Sequence, residues 1–298
     1  MTAGEEGFLL LTGYLGDPER KPLTTAQFRD LTLRARAMSR PAVDREMTAE
    51  DLMAIGCNQA AARRILQLLS QTEQLLWYVK RGKKADCLPL TRISEAYPHR
   101  LRTALGMDAP GTLWYSGNPA LLQRKKVSLV GSRDLRPENE AFAAEVGKQA
   151  ALQGYVLVSG NARGADRTAQ DSCLAHGGAV ISVVAEELSK HRGDENLLCL
   201  SEEGYDLGFS AHRALQRNRV IHALSDQVLV AQCTLGRGGT WDGTKNNLRK
   251  GWSKVFCLRD GSKAMDELEQ MGATLIQPDA LSEFSSLQTN IISLEEPV

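Results

Sequence analysis

Two apolar runs that end at glycines carry the side chains best suited to holding an anion. Val127 to Gly131 is followed by polar Ser132 and Arg133, and Tyr155 to Ser159 is followed by Gly160, Arg163, Gly164 and Asp166. Backbone amides released at such a strand end can meet a ligand, and a guanidinium adds a planar fork that matches phosphate. A third glycine-rich stretch, Leu235 to Thr244, sets Gly238, Gly239 and Thr240 ahead of a helical run, with Lys245, Arg249 and Lys250 behind them. The N-terminus of a helix carries partial positive charge and favours phosphate. Arg217, Asn218 and Arg219 lie in another helical run, where neighbours are about 100° apart, so the spacing predicts that one arginine reaches the anion while the other braces a loop. Asp166 at a helix start is expected to cap amides or orient Arg163 rather than to act as an acid or base.

These residues need a scaffold that brings strand ends together. From Lys126 onward, strands and helices alternate. Strands are expected at 126–131, 155–159, 179–184, 227–231, 254–258 and 274–277, and helices near 138–152, 165–176, 211–224, 240–250 and 263–271. Such alternation predicts an α/β fold, a Rossmann-like and mostly parallel sheet with helices on both faces. Ligands of open parallel sheets sit just beyond the carboxyl ends of the strands. The segment 86–118, with a short strand at Leu113 to Tyr115, reads as a lead-in that covers one sheet face. Residues 1–85 carry helical period only. Thr24 with Gln27, opening a helix through Met38, and Thr48 with Asp51 look like helix starts. The turn Gly56-Cys57-Asn58 suggests a helix-hairpin-helix, read here as a structural pair because a phosphate-gripping hairpin usually keeps a second glycine. KRGKK at 80–84 reads as a solvated basic connector, and residues 279–298 as a polar tail, at most loosely docked.

Composition narrows the function classes. The chain has 298 residues, 42% hydrophobic and 24% charged, with a net charge of 0. No apolar run approaches the roughly 18 residues that span a bilayer, and there is no signal-peptide core, so no membrane association and a cytoplasmic location are expected. The six cysteines are scattered without a CxxC pair, so neither a metal nor another cofactor is expected. His176, His191, His212 and His222 share no ligand spacing and read as structural. From His212 to Lys263 there are ten Lys or Arg against three acids, which marks one anion-binding patch on an otherwise neutral protein.

The motifs AYPHRL at 96–101, LWYSGN at 113–118, VSLVGSR at 127–133, VSGNARGAD at 158–166, RNRVIHALSDQVLV at 217–230, LGRGGTWDGT at 235–244 and GATLI at 272–276 form a series. As a series they resemble the DNA-processing protein A family (DprA/Smf). That resemblance implies a Rossmann-like domain behind a small helical one. It also implies single-stranded DNA binding, a homodimer and the handing of DNA to a RecA-type recombinase during natural transformation, without catalysis. On this reading the DNA or phosphate-binding residues are Gly131, Ser132, Arg133, Ser159, Gly160, Arg163, Gly164, Arg217, Asn218, Arg219, Gly238, Gly239, Thr240 and Lys245. Trp241 either stacks on a base or packs against the sheet.

The loop at 236–240 also resembles that of the wider superfamily containing the Lonely Guy phosphoribohydrolases. The alternative function is therefore a nucleotide-binding or N-glycosidic nucleotide-hydrolysing pocket, in a setting such as bacterial defence, with Asp242 as the acid nearest the loop.

Overall fold

The computed structural model describes residues 1–37 and 47–287. Five helices come first: α1 (Ala3–Thr12), α2 (Thr25–Ala37), α3 (Ala49–Ala54), α4 (Gln59–Leu69) and α5 (Thr72–Lys84). Their starts follow local chemistry. Thr24 and Gln27 exchange hydrogen bonds ahead of α2, and Thr48 and Asp51 form a capping box ahead of α3; Met38 lies outside the described residues. The turn from α3 to α4 uses its own amides, Gly56 N–H donating to Met53 O and Cys57 N–H to Leu52 O, while Asn58 caps α4. Amides engaged in this way are not offered to a phosphate. KRGKK is a correction: it is the last turn of α5, not a connector. Gly82 lies under Trp114 and Tyr205, where a Cβ would fall 2.9 Å from a Tyr205 ring carbon. Tyr78, Trp114 and Tyr205 pack ring against ring here and join the helices to the sheet.

The α/β part runs β1 (Leu88–Thr91), α6 (His99–Leu105), β2 (Thr112–Ser116), β3 (Lys126–Val130), α7 (Pro137–Leu152), β4 (Val156–Ser159), α8 (Ala165–Ala175), β5 (Ala179–Val183), β6 (Leu197–Glu202), α9 (Ala211–Leu224), β7 (Gln227–Val230), α10 (Gly239–Lys250), β8 (Lys254–Leu258), α11 (Lys263–Gln270) and β9 (Thr274–Ile276). They form one nine-stranded sheet in the order β1-β2-β6-β5-β4-β3-β7-β8-β9. Pairing is parallel from β6 to β9 and antiparallel for β1 and β2. The lead-in segment therefore extends the sheet edge with two strands, and only its helix α6 covers a face, packed on α9 in the core layer that α10 and α11 share. Burial on both faces explains why the parallel strands read as continuous apolar runs.

Alternate side chains divide between two cores. Val156 and Val158 face α9, while Leu157 faces α7 and α8. Ser128, a hydroxyl inside an apolar strand, is fully buried, donates to Ile221 O at 2.7 Å and meets Ser225 Oγ at 2.6 Å, tying β3 to the end of α9. The stretch expected to open a polar tail is also a correction over 279–287. Leu281, Phe284 and Leu287 are buried in the α7/α8 core, and Gln153 bonds both Leu281 O and Phe284 N. The rest of that tail lies outside the described residues. Among the described residues, no helix is long and apolar enough to cross a membrane.

Candidate functional site

The sheet order reverses at β3. From there the chain winds through β4, β5 and β6 on one side, then returns to β7, β8 and β9 on the other. The carboxyl ends of β3, β4 and β7 consequently surround one crevice of about 620 Å³. Gly131, Ser132 and Arg133 form one wall, Gly238, Gly239 and Thr240 another, and Arg217 and Asn218 of α9 close it. The loops are held from outside. Ser132 N–H donates to Gln232 O, the Gln232 side chain bonds Asp134 O and Arg136 N, and buried Asn139 donates to Ala231 O at 2.7 Å. Thr240 Oγ1 donates to Gly131 O at 2.9 Å, and Asn218 Nδ2 donates to Gly239 O at 3.0 Å. Gly238 caps α10 without a side-chain bond, which leaves first-turn amides available to an anion.

Arg217 is the centre of the site. Its side chain is only 11% exposed, and Nε and one terminal nitrogen have no hydrogen-bond partner. That nitrogen lies 3.8 Å from Asp166 Oδ2, an ion pair too long for a hydrogen bond. Burial raises the pKa of Asp166, opposed by the charge of Arg217, and burial lowers that of Arg217. Such a pair keeps a cation in the crevice wall whose hydrogen-bonding capacity the protein leaves partly unfilled. Gly160 makes the space: a Cβ there would fall 1.6 Å from Arg217. Gly164 takes φ +85°, and its own Cβ would fall 2.4 Å from Arg133 O, so only glycine lets the β3 and β4 loops touch. Arg133 is exposed, near enough to Arg217 for mutual repulsion, and has no ion pair among the described residues.

Of the residues predicted from sequence, several lie outside this crevice. Ser159 is fully buried; its hydroxyl donates to Gly160 O and accepts from Gln170. Arg163 is 76% exposed and paired with Asp134 at 2.5 Å. Arg219 points to the opposite side of α9, where it holds Glu202 at 2.6 Å. Lys245 lines a neighbouring groove with Asp242. Trp241 is buried in the sheet core, so it offers no stacking face. Asp166 receives the Ala162 amide at 3.4 Å and faces Arg217 rather than Arg163.

Sequence reasoning missed Phe209, 55% exposed on the crevice lip beside Leu215, because a single ring in a glycine-containing loop has no period to mark it. It also missed Arg237, an exposed cation on the same wall. His222 contributes to the crevice floor as a buried neutral ring, its pKa pushed down to about 4 by burial.

Comparison with known proteins places this geometry in a family. The model of the DNA recombination-mediator protein A family matches residues 89–284. The DNA processing protein DprA of Streptococcus pneumoniae is 31% identical over 215 residues, 67% of this chain and 72% of that protein. Protein Smf of Escherichia coli is 30% identical over 207 residues, 64% of this chain; the chain spans 54% of Smf. The X-ray structure of the Streptococcus pneumoniae protein superposes with a TM-score of 0.66 at 27% identity, covering 88% of this chain and 98% of that one. DprA of Helicobacter pylori, solved for its single-stranded DNA binding mode, gives a TM-score of 0.55 at 25% identity, covering 66% and 94%.

Proposed function

Because the chain belongs to the DNA recombination-mediator protein A family, we propose that its crevice binds single-stranded DNA and that the protein acts in DNA processing. The observation that carries this reading is Arg217, a buried guanidinium with unpartnered donors, set beside Arg133 and the uncapped start of α10. Together these groups suit a phosphodiester. Phe209 and Leu215 on the lip offer apolar faces to the bases, which any base can use. By the same reading the protein works as a homodimer and passes its strand to a RecA-type recombinase. The Helicobacter pylori relative, described as a single-stranded DNA binder, supports the ligand class.

The hydrolase alternative loses its acid. Asp242 is exposed and lines the neighbouring groove, and the carboxylate that does face the crevice, Asp166, is tied to Arg217. Phe209→Ala tests the stacking part of the proposal. Base stacking on an aromatic side chain contributes about 1–3 kcal/mol per base, so oligothymidine affinity should fall roughly 5- to 150-fold while thermal stability is unchanged. Unchanged affinity would remove the ring from the interface. If a mononucleotide at low concentration displaced the oligonucleotide, the crevice would be a small-ligand pocket.

A further inference from the structure

Resting on the reading that the crevice holds single-stranded DNA, we infer that the strand continues out of the crevice along the seam between α9 and α10, where Lys245 and Arg249 hold the phosphates of flanking nucleotides. A second cavity, of about 480 Å³, begins at Leu215 and Asn218, which it shares with the crevice. It runs past Asp242, Lys245 and Asn246 to Arg249 and Trp252. Crevice and groove adjoin at these two side chains, where Asn218 bonds Gly239 O and Leu215, 52% exposed, forms an apolar step for the strand to cross.

The cations are placed as a track. Lys245 and Arg249 are four residues apart, so both project from one face of α10, roughly 9 and 15 Å along the helix from Gly239. Both are exposed. Lys245 has no ion pair or side-chain hydrogen bond among the described residues, and Arg249 bonds only neutral Asn246, at 3.1 Å. Arg219 on the facing helix is different, since Glu202 neutralises it. Unpaired cations beside a phosphate site extend its electrostatic reach, whereas a paired one does not. Asp242 is the acid lining this stretch, and its carboxylate opposes the strand. Beyond Arg249 the groove opens into a third cavity, whose walls add Lys250 but also Asp108 and Glu203. Charge balances there, and the track ends.

The test compares oligothymidines of about 6 and about 20 nucleotides by fluorescence anisotropy across a salt series. For the parent, the longer strand has the steeper dependence of log K on log salt, by about 1.4 for two added phosphates at about 0.7 each. The Lys245→Gln, Arg249→Gln double variant erases that difference and leaves the shorter strand's Kd unchanged. Asp242→Asn tightens binding of the longer strand only. The track is overturned if the double variant leaves the longer strand's slope and Kd untouched, or weakens both lengths equally. Arg133→Ala separates the two levels. If it weakens both lengths while the double variant does nothing, the crevice stands and the track falls; if it changes neither length, the crevice reading falls and takes the track with it.

Discussion

Arg217→Met destabilises the fold by about 3–5 kcal/mol near neutral pH, the usual cost of leaving a buried charge without its partner. The side chain is 11% exposed, and its methylene stem is replaced by one of similar length, so the cost comes from Asp166 rather than from a cavity. Asp166 is buried, and burial already raises its pKa above that of an unfolded carboxylate, about 3.9. A group of this kind favours the native state when protonated, and the benefit is lost as pH rises through the folded value. Arg217 pulls that value down; without it the value climbs further. The deficit of the variant is therefore largest near pH 7 and closes as pH falls toward about 4, where a neutral carboxyl needs no cation. Asp166→Asn in the Arg217→Met background should recover most of the loss. Urea unfolding at several pH values measures this, and a deficit independent of pH would show that Asp166 does not depend on Arg217.

Gly160→Ala separates the position of the guanidinium from its presence. The added Cβ would fall 1.6 Å from Arg217, so one of them must move. Gly160 cannot easily retreat, because its carbonyl accepts bonds from Ser159, Gln170 and Ser182 on three sides. The arginine tip yields instead, leaving Asp166 and the floor of the crevice. Moving the guanidinium away leaves Asp166 less compensated, so stability drops by at most the amount lost in Arg217→Met. Binding of an oligonucleotide should weaken about tenfold or more, equivalent to about 1.4 kcal/mol, because a preorganised cation becomes a mobile one. Affinity equal to the parent's, with the fold intact, would show that the buried placement of Arg217 does not contribute to binding.

Much of this molecule could be read from apolar runs and their terminating glycines. β3, β4, β5, β7 and β8 fall within a residue of their expected bounds, because strands buried on both faces have few other ways to appear in a sequence. β6, Leu197–Glu202, was not among the expected strands: its run of four apolar residues is short and flanked by acids, Asp194 and Glu195 before it and Glu202 and Glu203 at its end. β1 has only four residues, includes Pro89, and lies at the sheet edge, where a missing ladder donor is tolerated. The last turn of α5 looked like a linker because Gly82 breaks helical propensity locally, yet the space beneath Trp114 and Tyr205 admits nothing larger.

The site divides in the same way. Residues on the loops themselves, Gly131 to Arg133 and Gly238 to Thr240, were legible because glycine spacing defines a loop. What spacing cannot convey is which side of a helix faces the ligand relative to partners distant in sequence. Arg217 meets Asp166 across 50 intervening positions, and Arg219 meets Glu202 on the other side. Trp241 is buried for a similar reason: its helix places it against the sheet, and the exposed ring lining the crevice is Phe209 instead.

The most direct test of crevice binding is the salt dependence of affinity for a labelled oligothymidine of about 30 nucleotides, measured by anisotropy for the parent, Arg133→Ala and Arg237→Ala, with and without a mononucleotide competitor. A phosphate-binding crevice predicts a steep fall in affinity with salt, a slope reduced by about 0.7 in each variant, and indifference to the mononucleotide. A flat salt profile, or displacement of the strand by micromolar mononucleotide, would contradict it.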